Sequence, residues 1–201
     1  MKQGHFFIRR QIRAFSAIFL SGVMLVTGGC LSDSGQAPPP KPPSENGGMF
    51  REVNEGYSLL HGLMDDESNV SKIFIIKSAS EPTKGLIKEI ALACDDAKKQ
   101  LDQFPYKNNR IEFDVPDLPK LEKESRDLES KADEKTLLGS SGKEFELQLI
   151  LTQMQAMGYA VNLCKAIESH EQDPGRQAFL NNLQKQCQDF HDRLVGMLTT
   201  K

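Results

Sequence analysis

The chain has 201 residues, of which 38% are hydrophobic and 26% charged, with 11 Phe, 3 Tyr and no Trp. That length supports one ordinary core with appendages and excludes two full domains. Residues 1–29 carry Lys2, Arg9, Arg10 and Arg13 and no acid, so from Cys30 onward 21 basic side chains stand against 28 acidic ones, and this net charge of −7, with no basic cluster interleaved with aromatics, argues against nucleic acid as a partner.

The N-terminal stretch has a cationic start, an apolar run from Ala14 to Val26 and then small residues. As a helix the run would span about 20 Å, short of the roughly 30 Å of a bilayer core, so it reads as the hydrophobic region of a signal peptide. The sequence "VTGGC" at 26–30 resembles the bacterial lipobox, with Gly28, Gly29 and Cys30 in register and Thr27 where an aliphatic residue is commoner. The resemblance implies cleavage between Gly29 and Cys30 and lipidation of Cys30, which would then hold the chain to membrane lipid. Several acyl chains on one cysteine give the stable anchoring that a single chain does not. Arg9-Arg10 followed by Gln11-Ile12 loosely resembles a twin-arginine export signal.

From Ser32 to Gly48 the chain is rich in Pro, Ser and Gly, with "PPPKPP" at 38–43. Such a segment cannot bury apolar area, and its prolines favour an extended form of about 3 Å per residue, so it reads as a tether. The expected organisation is a signal peptide over 1–29, a lipidated cysteine and tether over 30–48, and a helical domain over 49–201. Leu31, which is not Asp, implies outer-membrane sorting if the cell is Gram-negative.

Beyond residue 49 the apolar period is helical throughout. Phe50, Val53, Tyr57, Leu60 and Met64 form one stripe, which "DDESN" at 65–69 is expected to interrupt, kinking or splitting the helix. Ser80 and Pro82 mark a helix start, Ile87, Ile90, Cys94, Ala97, Leu101 and Phe104 form its stripe, and Pro105 ends it. Residues 105–119 read as a crossover loop and 120–138 as a charged, mostly solvated helix, with Glu122/Arg126 and Asp127/Lys131 at helpful spacing. The strongest pattern comes last, in Leu147, Ile150, Met154, Met157, Val161 and Cys164, then in Leu180, Leu183, Cys187, Phe190, Leu194 and Met197. Ser141 with Glu144 predicts a capping box, Asp173-Pro174 an N-cap and first turn, and the short link over 168–173 a helical hairpin. The fold class is therefore all-α, an antiparallel four-helix-type bundle with an extra charged helix and a long crossover loop.

Cys94, Cys164 and Cys187 all lie on apolar seams. If the last hairpin turns near Glu171, Cys164 and Cys187 differ in height by roughly 13 Å, too far for a bridge. A Cys94 disulfide with Cys164 or with Cys187 stays open, beside the reading of all three as small buried hydrophobes. The residues three before His61, His170 and His191 are Ser58, Ile167 and Gln188, so the Glu-x-x-His element of di-iron bundles is missing. His61 with Asp65, or Glu168 with His170, offers at most a weak surface metal site. "GSSGKE" at 139–144 fails as a phosphate loop, because Leu137 and Glu144 occupy two of its fixed positions.

The helix order, the "DLP" loop and the stretch from Gly142 to Leu194 together resemble an uncharacterised bacterial family of exported, ferritin-like four-helix bundles labelled outer-membrane proteins. The likeness covers roughly residues 69–194 and rests on Gly142 with Phe145, Ala160-Val161, Asp173-Pro174, Phe179 and His191. It implies a bundle fold and export. Gln153 to Gln155 stand where that family often carries an acidic-His element, and the family has no settled activity.

The expected function is that of a membrane-anchored envelope lipoprotein with a non-catalytic interaction or structural domain and an envelope protein as partner. No catalytic residue, metal or cofactor is expected. The alternative is a ligand- or metal-binding bundle with a pocket near Met154, Met157 and Cys164.

Overall fold

The computed structural model describes residues 45–107, 111, 113 and 120–199. Every regular element among them is helical. Five long helices run over Glu45–Ser68 (α1), Glu81–Leu101 (α2), Lys120–Gly139 (α3), Gly142–Glu168 (α4) and Pro174–Thr199 (α5). A 3-10 segment, Val70–Ile75, follows α1, and a single helical turn, Phe104–Lys107, follows α2.

The start of α1 falls inside the stretch whose composition reads as tether. Its first turn contains Gly47 and Gly48, each of which costs a helix about 1 kcal/mol relative to Ala. That cost is why the sequence places the boundary later. The break expected at 65–69 is present but comes only at the far end of that stretch, since Asp65, Asp66 and Glu67 continue α1 to Ser68 before Asn69 turns the chain into the 3-10 segment. The reason is register: Val53, Tyr57, Leu60 and Met64 step four, three, four, and three more residues reach Glu67, which is fully buried. A side chain ending in a carboxyl group thus takes the next core position.

The α2 stripe is buried as its period predicts, from Ile87 through Leu101 to Phe104. Ser80 caps the helix, its hydroxyl accepting from the Thr83 N–H, with Pro82 in the first turn. Pro105 does not simply end the stripe but sits in the separate turn that keeps Phe104 in the core. Of the crossover, Ile111 is buried, and the Phe113 ring stacks on His61 at 4.6 Å. The rest of that loop beyond Lys107, and the side chains of Glu122, Arg126 and Asp127, lie outside the described residues. Leu121 and Leu128 on α3 are exposed, and its C-terminal turn is held by Lys77, which donates to the carbonyls of Leu138 and Ser140.

Helices α4 and α5 make the most extensive contact, and α1 packs against both α2 and α4. The expected seam of α4 is buried at Ile150, Met157, Val161 and Cys164, but Leu147 is 40% exposed and Met154 only partly buried, and Leu149, Gln153, Ala156 and Ala160 join the core beside it. At 27 residues α4 drifts relative to a strict repeat and packs against several partners, so its buried face is wider than one stripe. Ser141 stands at the N-cap of α4, yet its side chain makes no cap bond. Gly142, at φ 56°, turns the chain there through a conformation that other residues adopt at a cost. On α5 the cap forms as expected, Asp173 Oδ1 accepting from the Arg176 N–H at 2.9 Å. Gly56 lets α1 approach α4, because a Cβ at that position would sit 2.6 Å from Ile167 Cγ1.

Candidate functional site

The link between α4 and α5 holds the densest polar constellation. Glu171, 5% exposed, accepts from the backbone N–H of Gln172 and Asp173 through Oε1, each at 2.8 Å. Arg176 grips both oxygens, Nε to Oε2 and Nη2 to Oε1, again at 2.8 Å. From α1 the buried Tyr57 hydroxyl donates to Oε2 at 2.7 Å. Burial alone would raise the Glu171 carboxyl, but Arg176, the Asp173 N–H and Tyr57 outweigh it and hold it at about 2. Tyr57 is pushed far above the usual phenol range, first by burial and then by Glu171.

Beside this ion pair opens a cavity of about 380 Å³, lined by Gln100, Gln103, Phe104, Asp173, Gly175, Arg176 and Phe179. The Phe104 and Phe179 rings meet edge to face at 5.2 Å, and Tyr57 meets Phe104 likewise at 5.5 Å. The cavity therefore offers an aromatic wall, two side-chain amides and the edge of a guanidinium already neutralised by Glu171. Such a lining suits a small amphipathic molecule with hydrogen-bonding groups. It lacks a paired nucleophile and base.

The residues singled out by sequence are distributed differently. Gly29 and Cys30 lie outside the described residues. Met157 and Cys164 are fully buried, and they and Met154 are absent from the walls of this cavity. His61 Nε2 meets Asp102 Oδ1 at 2.7 Å rather than Asp65, which faces Lys98 at 3.7 Å. Glu168 accepts from Asn181, and His170 is exposed beside it without joining that bond. Among the described residues no group of three or more His, Cys, Asp or Glu is placed to hold a metal ion, and no helix is long and apolar enough to cross a membrane.

Cys94, Cys164 and Cys187 are buried and carry free thiols. Their relative heights differ from the sequence estimate. Gly158 faces His191, and Glu168 reaches Asn181, so each step back along α4 is matched by a step forward along α5. By that register Cys164 stands opposite Lys185, two residues short of Cys187, or about 3 Å of axial rise. The link over 169–173 is centred on Glu171 as expected, but the paired positions show that equal counts from it do not stand at equal heights on the two helices. Burial pushes the Cys187 thiol up to about 12, with Glu67 adding to it, and raises Cys94 and Cys164 as well.

Sequence reasoning missed Glu171, Arg176 and Tyr57. The partners of Glu171 come from its own link, from Arg176 in the first turn of α5 and from a helix 114 residues earlier, and no local spacing encodes that last meeting. No family model, no curated protein and no solved structure matches the chain.

Proposed function

We propose that the protein is a bacterial cell-envelope lipoprotein, cut between Gly29 and Cys30 and held to membrane lipid through Cys30. Its helical domain acts without catalysis, as an interaction or structural module for another envelope protein. The observation that carries this reading is the position of Cys30, after an apolar run too short to span a bilayer and before a proline-rich tether. Leu31 favours the outer membrane in a Gram-negative cell.

We read the domain as an antiparallel four-helix-type bundle of α1, α2, α4 and α5, with α3 as the extra charged helix on the crossover. Paired contacts support it. His61 with Asp102 and Asp65 with Lys98 join α1 to α2, and Gly56 with Ile167 and Glu67 with Gln153 join α1 to α4. In each case a rising number on one helix meets a falling one on the other, as it does between α4 and α5. The commitment of His61 to Asp102, and of Arg176 and Tyr57 to Glu171, supports a structural use of these polar groups.

Native mass spectrometry of the protein gently extracted from its own membranes tests the anchor. The expected mass is that of the chain from Cys30 plus its acyl groups, lost together with membrane retention in Cys30→Ser. An intact, unacylated N-terminus would refute it.

Of the second reading, a ligand- or metal-binding bundle, the small-ligand half is favoured by the cavity between Phe104, Phe179 and Arg176. Thermal melting with added divalent metals and with apolar amphiphiles tests it, since a binder of the native state raises the midpoint.

A further inference from the structure

Among the described residues two buried oxygens on facing helices have no hydrogen-bond partner, Oε1 of Glu67 and Oε1 of Gln153. The other ends of the same side chains already meet, Gln153 Nε2 donating to Glu67 Oε2 at 2.7 Å. Both residues are fully buried. A carboxylate there would be an isolated interior charge, among the least favourable arrangements in a protein. Its neighbours offer no compensation. Asp66 on the same helix is another acid, and the thiols that feel its field are Cys94 on α2 and Cys187 on α5. Lys98 on α2 turns to Asp65 and Asp102, and Lys72 of the 3-10 segment bonds Asn69. From α4 the facing group is the neutral amide of Gln153 itself.

One proton answers both orphan oxygens. We propose that Glu67 enters the core as the neutral acid, its Oε1–H donated to Gln153 Oε1 while Oε2 accepts from Gln153 Nε2, closing an acid–amide pair that works as a proton-dependent clasp between α1 and α4. A carboxylic acid and a primary amide each present one donor and one acceptor on the same edge, so the pair leaves neither oxygen unmet. Burial, with Asp66 adding to it and the Gln153 bond opposing, raises the Glu67 carboxyl to about 8 from 4.5. The clasp's contribution is therefore complete below about pH 4.5 and is lost as pH rises through about 8. It does not depend on the anchor or on a partner.

Asp66, itself raised to about 7 by burial and then by Asp65, must be separated from Glu67, so the test uses the full chain in detergent carrying Asp66→Asn. Urea unfolding at pH 5, 7 and 9 is compared with and without Glu67→Gln, whose amide restores both bonds to Gln153 by donating where the acid did. With Glu67 present the folding equilibrium constant should fall by roughly a hundredfold or more from pH 5 to 9, and in the Glu67→Gln protein this part of the fall should vanish. Equal pH dependence of the two proteins would overturn the proposal. Infrared difference spectra need no second variant: a protonated-carboxyl carbonyl band in the Asp66→Asn protein at pH 6, titrating away near pH 8, is the expected result. An unprotonated spectrum at pH 6 would overturn it as well.

Discussion

The Tyr57 hydroxyl donates to Glu171 Oε2 at 2.7 Å, joining side chains 114 residues apart. Glu171 belongs to the link between α4 and α5, and Tyr57 to the middle of α1, so this bond fixes the hairpin's turn against a helix outside the hairpin. The Tyr57 ring also packs edge to face on Phe104, which ties the same point to the turn after α2.

Tyr57→Phe keeps the ring packing and removes the hydroxyl. Glu171 Oε2 retains Arg176 Nε as a donor, so no orphaned acceptor remains. The expected loss is about 1 to 2 kcal/mol, appropriate to one bond to a charged group, read from urea unfolding. A loss above about 4 kcal/mol would mean that the turn detaches as a unit.

The low value held at Glu171 gives an acid limb to the stability profile. Its unfolded carboxyl titrates near 4.5 and its folded one near 2, so its contribution is full above about pH 4.5 and is lost as pH falls through about 2. Thermal melting from pH 5 down to pH 2 should show a steep fall that is reduced in Glu171→Gln. An unchanged limb in that variant would assign acid unfolding to other carboxylates.

The α2 and α5 seams were legible because their buried positions are nearly all apolar and step by three and four. The polar core was not legible, for a related reason. Glu67 and Gln153 occupy positions on buried helix faces, but a reading by hydrophobicity treats an acid and an amide as breaks. Continuing the step from Met64 would have placed Glu67 inside. The Glu171 site was hidden more deeply, since a loop glutamate among "SHEQDPG" has no periodicity, and Tyr57 reads from sequence simply as one more apolar stripe residue.

Gly56 sits where α1 crosses Ile167 of α4. An added Cβ would lie 2.6 Å from Ile167 Cγ1 and 3.3 Å from Cδ1, so one side chain or helix must move. Gly56→Ala should lose about 1 to 3 kcal/mol, as overpacked cores do, despite the better helix propensity of Ala. In an Ile167→Ala background the clash is gone and the same substitution should be neutral or stabilising. Equal losses in both backgrounds would place the strain elsewhere.

The three interior thiols provide the final test, and it bears on the corrected register of α4 and α5. Cys164 and Cys187 come within about 3 Å of the same height along their helices, yet both are free, as is Cys94 on α2. With the Cys187 thiol pushed up to about 12 from 9.0, its thiolate fraction at pH 8 is about a thousandfold below that of an ordinary cysteine, before access is considered. Iodoacetamide should therefore leave the native protein unmodified beyond its N-terminal region. In denaturant without reductant it should add three carbamidomethyl groups, at Cys94, Cys164 and Cys187. A single adduct would reveal a bridge, and peptide mapping would show whether Cys187 had joined Cys164, its neighbour in height, or Cys94, the thiol that shares the field of Glu67.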